Sequence, residues 1–207
     1  MASPASLLEQ AEKLLNGRRE SNRDYLLETV SQTVRELVDS AQKFDSEHQR
    51  FISQEFPALV LDGFAKVERL RAHSRVCRIG LILRNAAVCP AAQSPDEIEE
   101  LMRVAVEVSD REAQLLGELL RIQPGELGKQ GRTDRYSAWT LWEKGPWGTG
   151  VDSEIDSVFS KLEALGLVTR IPPPSNLTIL ADFQNRYALL LKGARFSQFT
   201  RDSARSA

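Results

Sequence analysis

The stretch 160-SKLEALGLVTRIPPP-174 decides the fold of this chain. Just upstream, Ile155, Val158, Phe159, Leu162 and Leu165 recur at three- and four-residue spacing, which predicts an amphipathic helix capped by Asp152 or Ser153. Gly166 stands where a helix closes in the left-handed conformation, a place that suits a residue without Cβ. Leu167, Val168 and Ile171 then predict a strand. Pro172, Pro173 and Pro174 have no N–H to give to a sheet, so with Ser175 and Asn176 they predict a loop. Leu177–Leu180 and Arg186–Leu191 predict two more strands, and Lys192-Gly193 a turn into a last amphipathic piece carrying Phe196 and Phe199.

Reading towards the N-terminus, the Pro/Gly-rich run QPGELGKQGR (123–132) predicts a loop, YSAWTLW (136–142) a short apolar element, and EKGPWGTG (143–150) a second loop. Trp139 and Trp142, three apart, suit a core, whereas Trp147 lies in a loop between Pro146 and Gly148; base stacking is the other use for such a set. VSDREAQLLGELLRI begins with a cap at Ser109 and Glu112 three residues on, and turns Leu115, Leu116, Leu119 and Leu120 inward. The second domain therefore starts near residue 108, giving domains of 1–107 and 108–207.

A helix, KLEALGLVTRI, a loop and then RYALLLKGARFSQF resembles the second half of a bacterial winged helix-turn-helix domain, with its recognition helix, glycine turn, two-stranded wing and terminal segment. That resemblance covers about residues 108–200 and implies double-stranded DNA or another protein as partner. The whole chain, through RIGLILRNA, VSDREAQLL, LGLV and LLLKGARF, is also similar to the Abi-alpha type of abortive-infection protein, which implies a non-enzymatic role in phage defence.

The N-terminal half reads as helix throughout. Leu7, Leu8, Ala11, Leu14 and Leu15 form one stripe, ended by Asn16-Gly17. Leu27, Val30, Val34, Leu37, Ala41, Phe44, His48 and Phe51 are spaced 3-4-3-4-3-4-3, a heptad seam that predicts a single helix over about 22–54. The seam packs either within one chain or between two. In the second case Leu27, Val30, Val34, Leu37, Phe44 and Phe51 would form a homodimer interface. His48 on the seam suits a core histidine better than a pH sensor. Pro57 suits a helix first turn. Gly63 and Gly80 either let helices approach closely or merely weaken them. Arg69, Arg71, Arg75, Arg78 and Arg84 form a basic run, which is either a phosphate-binding face or a solvated face paired with acidic helices. Ser94, Pro95 and Glu97 spell a capping box before Ile98, Leu101, Met102, Ala105 and Val106.

Composition excludes several classes of function. The 207 residues carry 27 Lys+Arg against 29 Asp+Glu, so no overall basic excess drives nucleic-acid binding. The C-terminal part is the exception, with 11 basic and 9 acidic residues over 124–207. Cys77 and Cys89 with His48 and His73 match no zinc spacing, and the expectation is two thiols in a reducing cytoplasm, with no metal or cofactor. The acidic, polar N-terminus is not a secretory signal, and no apolar run approaches the roughly 20 residues of a membrane span. GPWGTG lacks the Lys-Ser/Thr of a phosphate loop, and no nucleophile–base set or Gly-x-Ser-x-Gly is present, so no enzyme is expected.

The expected architecture is mainly α: an N-terminal helical bundle or arm, then a winged helix-turn-helix with a small β-wing. Ser157, Ser160, Lys161, Arg170, Arg186 and Arg195 are the candidate DNA contacts, helped by Lys129, Arg132 and Arg135 in the loop before Tyr136. Against them stand Glu154, Asp156 and Glu163 on the same helix, which would repel phosphate unless paired internally.

Overall fold

A 37-residue helix, α1 (Pro4–Ser40), opens the fold and runs straight through Gly17. The computed structural model describes residues 4–40, 45–89, 94–122, 152–171 and 186–201, with side chains for all of these but 4–15, 38–40, 122, 152–156, 171 and 186. The expected stop at Asn16-Gly17 does not occur. A glycine in a helix costs about 1 kcal/mol relative to alanine, which weakens a helix without breaking it.

The single helix expected over 22–54 is also corrected. Asp45, in extended backbone, accepts the His48 amide on its side chain at 2.8 Å and starts a new helix, α2 (Ser46–Arg50). A π-helical turn (Phe51–Glu55) leads on into α3 (Phe56–Val67). There the Phe56 amide reaches back five residues to the Phe51 carbonyl. Pro57, in the first turn of α3, has no amide to give, and a local widening of the helix fits its ring.

Two more helices complete this part. α4 (His73–Val88) supplies much of the core, burying Val76, Ile79, Gly80, Ile82, Leu83, Ala86 and Ala87. α5 (Pro95–Glu107) carries the expected capping box, with Glu97 N on Ser94 Oγ and Ser94 N on the Glu97 carboxylate. The two glycines are there for close approach. A Cβ on Gly80 would meet Thr29 Cγ2 at 3.2 Å, and one on Gly63 would meet Leu83 Cδ1 at 3.0 Å.

Among the described side chains the buried stripe of α1 is Asn22, Leu26, Thr33 and Leu37, which shares Leu37 with the heptad seam but takes Leu26 and Thr33 in place of Leu27 and Val34. Its polar members are satisfied by main chain. Asn22 Nδ2 donates to the carbonyls of Val67 (2.9 Å) and Leu70 (3.1 Å), closing the end of α3, and Thr33 Oγ1 donates to Thr29 O at 2.8 Å. A hydrophobicity pattern passes over such residues and selects Leu27 and Val34, which are 55% and 43% exposed.

The chain divides into two compact units: a helical unit of Met1–Val108 with Phe199–Ala207, and a helix–strand unit of Ser109–Gln198. The second contains α6 (Asp110–Ile122), α7 (Asp152–Ala164), β1 (Val168–Ile171), β2 (Arg186–Leu189) and α8 (Leu191–Phe199), whose last residue counts with the helical unit. β1 and β2 pair antiparallel, with Val168 opposite Leu189 and Arg170 opposite Tyr187. Gly166 has φ +69°, and the amides of Leu167 and Gly166 return to the carbonyls of Leu162 and Glu163, the expected left-handed helix end. β2 stops at Leu189 and α8 begins two residues later, slightly earlier than the turn read at Lys192-Gly193. The strand read at Leu177–Leu180, the triple-proline loop, the loops and apolar element over 123–150 and the three tryptophans lie outside the described residues.

Candidate nucleic-acid interface

α7 is fixed on one side by its apolar residues. Phe159, Leu162 and Leu165 are buried, and the Phe159 ring stacks on Tyr187 of β2 at 3.9 Å with a 6° interplanar angle. Ser157 and Ser160 are exposed on the other side, as a recognition surface requires.

The cations around them hold the fold together. Lys161 Nζ lies 3.0 and 2.8 Å from the two carboxylate oxygens of Glu112 on α6. The Glu112 side chain is only 8% exposed, and its carboxylate also accepts the Ser109 amide at 2.7 Å. Burial alone raises the pKa of this carboxyl. The Lys161 and Ser109 hydrogen bonds and the ammonium charge outweigh that, and the group titrates below its ordinary value.

Arg170 donates from Nη2 to Tyr187 Oη at 3.0 Å, with its guanidinium carbon 5.5 Å from the ring centroid. Its backbone amide donates to Glu163 Oε1 at 2.9 Å, so one acid of α7 serves the turn into β1. Lys192 Nζ donates to Leu165 O at 2.8 Å, at the negative end of α7. Arg195 is half-buried. Arg186 stands in β2 opposite Ile171, and its side chain lies outside those described, as do those of Glu154 and Asp156. Lys129, Arg132 and Arg135 lie outside the described residues altogether.

The six residues expected at a dimer interface separate. Leu37 and Phe51 are each 6% exposed inside the helical unit and cannot also meet a second copy. Leu27 and Val34 face outward, Val30 is half-buried, and Phe44 lies outside the described residues.

The basic run of the α3–α4 turn and α4 is not one face. Arg78 is buried and donates to Val108 O at 2.7 Å, and Arg84 pairs with Glu36 at 3.1 Å. Arg69 and Arg71 lie in the α3–α4 turn and Arg75 in the first turn of α4. There Asn22 brings α1 alongside and, with it, Arg18 and Arg19 one helical turn earlier. Sequence reading missed these two because some 50 positions separate them from the turn they approach.

The histidines are structural in position. His48 Nε2 lies 2.8 Å from Ala87 O, and the His73 ring meets the Tyr25 ring edge-on at 4.9 Å. Among the described residues no three His, Cys, Asp or Glu side chains group to hold a metal ion, and no helix is long and apolar enough to cross a membrane. No protein-family model, curated protein or solved structure matches the chain.

Proposed function

We propose that this chain is a non-enzymatic, dimeric DNA-binding protein whose helix–strand unit is a winged helix with α7 as its recognition helix. The observation that carries the reading is that α7 is held rigidly by Phe159, Leu162, Leu165 and the Lys161–Glu112 pair while Ser157 and Ser160 stay exposed. Contacts that specify sequence need such a preorganised polar ridge, whereas phosphate contacts only position it. Arg170 on β1, steadied on Tyr187, and Arg186 on β2 are the further candidate contacts from the strands that follow α7. The dimer would form through the outward side of α1, at Leu27 and Val34.

A second reading, a winged helix used for protein docking, is favoured by the ties on Lys161, Arg170 and Lys192, which leave the ridge little charge for phosphate. Selection of duplexes from a random pool separates the two. The DNA reading expects an enriched sequence, with Ser157→Ala plus Ser160→Ala cutting discrimination about tenfold while non-specific affinity holds. No enrichment, with α7 variants indifferent, would transfer the ridge to the docking reading.

A further inference from the structure

Five arginines stand on the elements that meet at one end of the helical unit, far along the chain from β1 and β2. Arg69 and Arg71 bracket Leu70 in the turn between α3 and α4, and Arg75 stands in the first turn of α4. The two Asn22 bonds to Val67 O and Leu70 O fix α1 against this turn. Arg18 and Arg19 precede Asn22 by one helical turn, about 5 Å along the axis, on the flank that carries Asn22. Arg18, Arg19, Arg69 and Arg71 are exposed and Arg75 half-exposed.

The cluster is unusual in two respects. The region 1–123 has more acidic than basic residues, 20 to 16, yet the acid in the turn, Glu68, is already bound to Arg23 at 3.3 Å. Among the described residues no carboxylate pairs with any of the five arginines. Elsewhere on this unit Arg84 sits on Glu36 and Arg103 on Glu100 and Glu107. Secondly, α4 begins behind Ala72, a residue with no side chain to cap it, so its positive end faces the cluster's own turn.

We propose that this end of the helical unit binds the phosphodiester backbone of a nucleic acid. Guanidinium groups take phosphate oxygens two at a time, and every cation of the cluster is an arginine. Among the described residues the exposed large apolar side chains, Leu27, Val34, Leu61, Val88 and Leu191, all lie outside segments 18–23 and 68–75, so no described side chain of the patch is suited to insert into a lipid surface. The site supplies affinity without sequence preference. It goes beyond the reading of α7 and rests on different residues.

The test is fluorescence anisotropy of the full chain with short random duplex DNA and with single-stranded RNA, between ~50 and ~200 mM salt. Four or so engaged phosphates give log K against log salt a slope of about −3 to −4 on duplex. Arg69→Gln plus Arg71→Gln lowers that slope by about 2 and weakens binding at least tenfold, at ~50 mM salt. Arg18→Gln plus Arg19→Gln does the same from the other element, and Arg103→Gln changes nothing. Binding of either polymer that needs these arginines supports the site, and the tighter-bound polymer names its source. No salt-dependent binding, binding indifferent to both arginine pairs, or capture of anionic phospholipid vesicles but neither polymer overturns it. Loss on Arg170→Ala and Arg186→Ala alone would also overturn it, while leaving the wing reading intact.

Discussion

In the helical unit the buried polar groups are bound to main-chain carbonyls: Asn22 to Val67 and Leu70, Thr33 to Thr29, Arg78 to Val108. In the helix–strand unit the corresponding role falls to a carboxylate, Glu112, held by an ammonium and by its own helix start. The same contrast holds on the surface. The helix–strand unit uses Lys161, Arg170 and Lys192 as struts, whereas at one end of the helical unit a group of arginines has no carboxylate partner among the described residues. The cations described in the helix–strand unit therefore serve mainly as struts, whereas the helical unit has both struts, such as Arg78 and Arg84, and exposed arginines with no carboxylate partner among the described residues.

The largest expected effect concerns close approach. In the helical unit an added methyl on Gly80 or Gly63 meets the end of a side chain. In the helix–strand unit a Cβ on Gly193 would overlap the Leu167 carbonyl oxygen and lie 2.7 Å from Leu189 Cδ1. That carbonyl is not able to yield, because it accepts the Leu190 amide at 2.9 Å. Gly193→Ala should cost about 3 kcal/mol or more, and Gly80→Ala about 1 or less because helix propensity offsets the crowding. Urea unfolding, with hydrogen exchange to assign each loss to its unit, checks the pair; equal costs would break the contrast.

Next comes the main-chain satisfaction of the helical unit. Asn22→Ala removes both donors from the end of α3, which should cost about 1–3 kcal/mol with little dependence on pH. Amide exchange in α3 should report the loss, and an unchanged midpoint would mean water replaces the side chain without penalty.

The helix–strand unit should respond to acid instead. The Glu112 carboxyl titrates below its ordinary value when folded, so its contribution is whole above the unfolded pKa, near 4.3–4.5, and is lost as pH falls through the folded one. Glu112→Gln lacks that titration, so its stability relative to the native chain should recover in acid. Parallel acid limbs for the two proteins would exclude the Lys161–Glu112 pair as a stabilising contact.

What was legible in the sequence was whatever four or five adjacent residues encode. Ser94 with Glu97, Ser109 with Glu112, and Gly166 after Leu165 each fix a helix end by a hydrogen bond or a backbone angle reached locally. The heptad seam misled because its spacing continues unbroken through Asp45, where the backbone is extended and a new helix starts, and because Asn22 and Thr33 pass for surface residues. Roles across the fold were not legible. Glu112 precedes Lys161 by 49 positions, and nothing in a basic side chain's own neighbourhood states that it serves as a strut. The arginines of the helical unit are hidden for the same reason, since two of them reach the α3–α4 turn only through Asn22.

The smallest effect separates the sequence expectation from the structure by its sign. If Asn16-Gly17 ended a helix, Gly17 would sit in the left-handed region, and alanine there would be strained by about 1 kcal/mol or more. In the structure α1 continues through Gly17, whose added Cβ meets nothing within 4 Å. Alanine then gains about 0.5–1 kcal/mol from helix propensity and from a less flexible unfolded chain. Gly17→Ala should therefore raise helicity at 222 nm and slow amide exchange over the first turns of α1. A fall in either would mean that the helix breaks at Gly17, and Arg18 and Arg19 would lose the continuous α1 that Asn22 brings to the arginine cluster.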